Sequence, residues 1–239
     1  MTATPIPRTL AMSAYGDLDM SIINELPPGR KEINTIHQSS RDRLKLIDFL
    51  KTQIDNGRQA YIVYPLIKES EKLDFKDLLD GYESFSRDFP MPKYQISIVH
   101  GKMKNEEKEY EMQRFIENKT QILVSTTVIE VGVDIPNATV MVIESAERFG
   151  LSQQLHQLRG RVGRGAHKSY CFLITGNKQT KESKIRMETM VSTNDGFIIA
   201  EKDLELRGPG NIMGTQQSGE MPLRITTVSY THLTLPTKA

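Results

Sequence analysis

Between Lys31 and Thr175 a short β-prone run follows a longer amphipathic segment again and again, and this repeat limits the chain's fold more than any other feature. Strands alternating with helix-length segments form a parallel sheet with helices packed on it. Strands are predicted at 32–37, 60–66, 95–99, 121–125, 139–143 and 169–174. Between the first two, Leu44, Ile47, Leu50 and Ile54 recur at helical spacing, and Gly57 stands where a left-handed cap would end the helix. Asn105 followed by Glu106 and Glu107 marks another helix start, with Tyr110, Phe115 and Ile116 as its apolar positions.

The stretch 68–90 is polar, with only a modest apolar face from Leu73, Phe75, Leu78 and Leu79, and reads as a solvated surface excursion carrying a short helix. After Gly176 the strand pattern stops. A charged helix is predicted over 178–191, a turn at Asn194-Asp195-Gly196, and a mostly helical run over 197–206. The chain therefore divides into 1–30, a linker; 31–176, the α/β sheet; 177–219, a helical hairpin; and 220–239, a threonine-rich tail read as disordered or non-native.

Composition narrows the function classes. Of the 239 residues 38% are hydrophobic, enough to bury a core, and 31 basic against 30 acidic residues leave a charge of +1. Any contact with a polyanion must then come from local clusters rather than from the net field. The single cysteine, Cys171, excludes a disulfide framework and a zinc site built from cysteine pairs, so no metal ligands are assigned and a reducing, cytoplasmic setting is expected. No apolar run is long enough to cross a bilayer.

Chemistry concentrates in two strings. In Gln157-Leu158-Arg159-Gly160-Arg161-Val162-Gly163-Arg164, Arg161 and Arg164 lie three apart, so on a helical turn both guanidiniums face one way, and the glycines permit close backbone approach. That arrangement suits a phosphate. A solvated basic helix is the alternative. In the second string, residues 122–136, a buried strand ends in Ser125, Thr126 and Thr127 and runs into Gly132 and Asp134. Ligands bind at the carboxyl ends of parallel strands, whereas helix capping and turn formation are the commoner uses of these residue types.

These two strings resemble motifs VI and V of superfamily 2 helicases, Thr2-Ala3-Thr4-Pro5-Ile6-Pro7-Arg8-Thr9-Leu10 is similar to motif III, which makes 1–30 the end of a first motor lobe and its linker, and Ile62–Leu66 is similar to motif IV. Glu144-Ser145-Ala146-Glu147-Arg148-Phe149-Gly150, Arg207-Gly208-Pro209-Gly210 and Gly214-Thr215-Gln216-Gln217-Ser218-Gly219 resemble the RecG family within that superfamily. The resemblance implies the second of two RecA-like lobes, with ATP and magnesium held mainly by the first lobe and branched double-stranded DNA as partner. It implies a monomer in the bacterial cytoplasm. On it, Arg161 and Arg164 reach ATP phosphates, with Gln157, Gly132 and Asp134 on the nucleotide side. Thr126 touches the DNA backbone. Arg186, Arg207 and Gln217 link a translocation hairpin to the motor. A transcription-repair coupling factor lobe and a non-catalytic nucleic-acid-binding module are the alternatives.

Two further expectations follow. No G-x-x-x-x-G-K-[ST] loop or acidic box occurs in these residues, so the chain alone is expected not to hydrolyse ATP. Between Gly150 and His156 it carries one glutamine more than the family spacing. An inserted residue rotates a helix by about 100°, so the segment must absorb it or misaim the arginines.

Overall fold

The computed structural model describes residues 31–65, 71–126 and 135–207. Its six strands are β1 (Ile33–Ser39), β2 (Gln59–Tyr64), β3 (Ile96–Val99), β4 (Ile122–Thr126), β5 (Ala138–Ile143) and β6 (Ser169–Thr175). They form one sheet in the order β1-β6-β5-β2-β4-β3, with every neighbouring pair parallel. The expected α/β architecture is present, and each predicted strand is found to within about two residues. β2, β4 and β5 are buried along their whole length, which is why they read as unbroken runs without a polar face.

Alternation along the strands divides the core between the two faces. Ile62, Val124, Val142 and Phe172 meet helices α1 (Arg43–Asp55) and α2 (Glu71–Asp88) on one side. Tyr61, Val63, Leu123, Met141 and Leu173 meet α3 (Asn105–Ile116), α4 (Lys181–Ser192) and α5 (Gly196–Arg207) on the other. No described helix is long and apolar enough to cross a membrane.

Helix α1 ends as its sequence predicts. Gly57 has φ +79, its N–H bonds to Ile54 O at 2.8 Å, and the Arg58 N–H reaches Gln53 O at 3.0 Å, the pair of bonds of a Schellman cap. Its buried face differs in one position: Leu44 is 77% exposed and Leu46 points inward instead. In α3 the expected apolar positions Tyr110 and Ile116 are exposed, and Met112 joins Phe115 in the core.

The reading of 68–90 as a solvated excursion is overturned. α2 is 18 residues long, and Leu78, Phe85 and Phe89 are buried against the sheet. These three stand seven and four apart, on one helical stripe, but charges fill the intervals and hide the period. Of the residues weighed from sequence, Leu79 is exposed.

α4 and α5 pack as a hairpin. The Thr180 hydroxyl accepts from Ser183 N at 3.1 Å to start α4, and the Asp195 carboxylate accepts from Phe197 N at 2.8 Å to start α5. Met187, Met190 and Ile199 then seat the hairpin on Leu151 and Leu155.

Candidate functional site

Because the sheet is parallel, its two edges are chemically distinct, and the structure distributes the predicted residues between them. The string carrying the arginines begins after β5 and returns to the amino edge. A Cβ at Gly163 would lie 2.8 Å from Ile33 Cγ1, at the first residue of β1, and one at Gly165 would lie 2.6 Å from Pro136 O, just before β5. Gly163 also has φ +75. Only glycine meets both demands without strain.

At this edge Arg161 is half-buried, and among the described residues no hydrogen bond or ion pair holds its guanidinium. Arg164 is exposed, and its Nε donates to Gly160 O at 3.2 Å. Gln157 is exposed on the helical turn Gln157–Arg159 just before them. Gly132 and Asp134 lie outside the described residues.

Thr126 closes β4 at the opposite, carboxyl edge. It is 2% exposed, and neither its hydroxyl nor that of Ser125 has a hydrogen-bond partner among the described residues. A buried hydroxyl without a partner is costly and marks a place where one is expected.

The same edge holds a cluster that the sequence did not reveal. Arg43 on α1 donates to Glu144 Oε1 at 3.3 Å and to Ser84 Oγ at 3.1 Å, lies 3.8 Å from Asp88 Oδ2, and stacks 4.4 Å above the Phe85 ring. Burial pushes the Glu144 carboxyl above its ordinary pKa, and the Arg43 charge opposes that shift. These contacts fasten two helices to the end of β5. Arg43 stands 101 positions from Glu144 and 41 from Ser84, and no local spacing announces the cluster.

The segment expected to carry an extra glutamine forms a π-helix at Leu151–His156. Leu155 N bonds to Gly150 O at 3.0 Å, a five-residue step, and Gln154 Oε1 accepts from Gly150 N at 2.7 Å. A π-turn holds one more residue than an α-turn, which is the form that would take up an inserted residue before the arginines are reached.

Two arginines join this segment to the hairpin. Arg186 on α4 donates to Phe149 O at 2.6 Å. Arg159, which the sequence reading passed over, is 2% exposed and reaches back to the end of α4 at Met190 O and Thr193 O, both at 2.9 Å. Arg207 ends α5; its side chain and all of Gln217 lie outside the described residues.

Residues 42–166, just over half the chain, match the family described as Helicase conserved C-terminal domain. This chain belongs to that helicase family. Within it the likeness is to RecG: residues 193–231 match the model for ATP-dependent DNA helicase RecG, domain 3, C-terminal, which runs past Glu220. The chain is 53% identical over 219 residues to ATP-dependent DNA helicase RecG of Synechocystis, covering 92% of this chain and 26% of that protein. It is 50% identical over 238 residues to the Bacillus subtilis RecG, covering 99% of this chain and 34% of that one. A solved structure of RecG bound to a three-way DNA junction superposes with TM-score 0.74 at 43% identity, over 98% of this chain and 30% of the other. This helicase C-terminal domain thus spans about a quarter to a third of the relatives it matches, and its sheet has the RecA-like fold of a helicase C-terminal lobe.

Proposed function

We propose that this chain is the second motor lobe and translocation hairpin of an ATP-dependent DNA helicase that remodels branched double-stranded DNA in recombination and repair, working as a monomer in the bacterial cytoplasm. The observation that carries the proposal is the half-buried Arg161 guanidinium at the amino edge of the sheet beside Gly163, which has no partner among the described residues. A half-buried cation with no partner among the described residues suits an anion brought by another body, and the first RecA-like lobe would bring ATP with its magnesium. Bound there, ATP supplies the phosphoryl group whose developing charge an arginine stabilises.

Arg161 and Arg164 would face the phosphates, with Gln157, Gly132 and Asp134 on the same side. Thr126, at the far edge with no partner for its hydroxyl among the described residues, would contact the DNA backbone, which positions a strand without reading its sequence. Nucleotide and DNA would then meet opposite edges of one rigid sheet. Arg207 and Gln217 would complete the link from hairpin to motor.

The test joins this chain to the first lobe of the Bacillus subtilis relative and measures DNA-stimulated ATP turnover. Arg161→Ala is expected to lower turnover by about 10³-fold, and Arg164→Ala to lower it as well, while the chain alone turns over no ATP. Unchanged turnover in both variants would remove the assignment.

A further inference from the structure

Arg159 stands inside the arginine string yet is turned away from any phosphate, because it is buried and both its Nη nitrogens are engaged. Nη1 reaches Met190 O at 2.9 Å, Thr193 O at 2.9 Å and Thr35 Oγ1 at 3.3 Å, and Nη2 reaches His156 Nδ1 at 3.2 Å. A guanidinium stays charged at any physiological pH, and no carboxylate among the described residues pairs with it. The compensation comes from position. Met190 is in the last turn of α4 and Thr193 is its C-terminal cap, where carbonyls lack helical partners and the helix dipole is negative. Arg159 therefore caps, from another element, the first helix of the hairpin.

The helical turn Gln157–Arg159 ends at Arg159, Gly160 caps it, and Arg161 lies in the turn that follows, two residues on. Arg159 thus reaches the hairpin from the end of the helix, and the next turn carries Arg161 towards Gly163 at the amino edge. The remaining attachment of α4 near its end is apolar, through Met187 and Met190, and apolar contact has no preferred direction. The forked, charge-assisted bonds of Arg159 do have one.

We propose that Arg159 is the positioning residue that carries a displacement of the phosphate-facing turn into the hairpin, so that ATP turnover is converted into DNA movement. This rests on the helicase reading above. Lysine cannot substitute, because an ammonium on a flexible stem does not reproduce a planar fork spanning two carbonyls, a hydroxyl and a ring nitrogen.

The experiment places this chain in the Bacillus subtilis RecG in place of the matching third. ATP turnover and processing of a three-way DNA junction are measured on the same samples. In Arg159→Lys and Arg159→Met, junction product per ATP hydrolysed is expected to fall about tenfold, with turnover itself close to the parent's. A purely structural role would lower both in proportion; that result, or an unchanged ratio, overturns the proposal. Hydrogen exchange of residues 187–196 in the parent graft, with and without a non-hydrolysable ATP analogue, decides the matter even if the variants misfold. Protection there should change with nucleotide, and no change would sink the coupling role. A parent graft that neither turns over ATP nor acts on DNA would instead overturn the helicase reading itself.

Discussion

The Arg186 guanidinium donates to the Phe149 carbonyl at 2.6 Å, across 37 positions of sequence, and so pins the middle of α4 to the entrance of the π-helical turn. A charge-assisted bond to a part-buried carbonyl is stronger than a neutral one, and removing the donor leaves the carbonyl unsatisfied. Arg186→Ala is expected to lower unfolding stability by about 2 kcal/mol and to speed hydrogen exchange over 181–192. Arg186→Lys should recover part of the loss. Urea unfolding followed by circular dichroism gives the comparison, and a midpoint unmoved in the alanine variant would show that the bond contributes nothing.

His156 adds a pH dependence. Burial, and next the charge of Arg159, hold its pKa down to about 4 from an ordinary value of 6.5. An arginine can only donate, so the 3.2 Å contact requires Nδ1 to be the unprotonated acceptor. The folded chain keeps this ring neutral while the unfolded chain protonates it below about 6.5. The corresponding stability is complete above that pH and is lost as pH falls towards 4, by roughly 2 kcal/mol after allowance for partial exposure. In His156→Gln the decline between pH 6.5 and 4.5 should flatten. An unaltered decline would place the titration elsewhere.

Gly163 tests how tightly the arginine turn is fitted to the sheet. Alanine there would carry a Cβ at φ +75 and bring it 2.8 Å from Ile33 Cγ1. The backbone cost is about 1–2 kcal/mol, and the clash adds to it. Only the second part can be relieved by shortening the neighbour. Gly163→Ala combined with Ile33→Ala should therefore be less than additive in a double-mutant cycle, leaving the backbone cost. Strict additivity would mean that the turn does not press on β1.

The strands were legible because parallel strands buried on both faces must be continuous apolar runs, as in Ile122-Leu123-Val124 and Val140-Met141-Val142. α2 was not, because Leu78, Phe85 and Phe89 are too sparse for a short window. At the site, the resemblance picked out Arg161 and Arg164 from their spacing with glycine, while Arg159 in the same string was indistinguishable from them. Its role depends on carbonyls at Met190 and Thr193, more than thirty residues away, and on burial, which no run of letters displays. The Arg43 and Glu144 pair escaped notice for the same reason.

The π-helix at Leu151–His156 makes the glutamine insertion testable in both directions. Deleting Gln153 converts the five-residue step from Gly150 O to Leu155 N into a four-residue α-helical one, with the same two groups still bonded. Leu155, Leu158 and Arg159 then keep their places, so the deletion is expected to leave stability unchanged or raised and to leave Arg161 able to support ATP turnover beside a first lobe. Adding a further residue after Gln154 is different. The π-turn already holds its extra residue, so the addition must rotate the following turn by about 100°, driving Arg159 away from α4 and Arg161 away from the amino edge. Turnover should be abolished and the unfolding midpoint lowered. Equal tolerance of deletion and addition would mean that the segment is a loose loop and that its π-helical form does not aim the arginines.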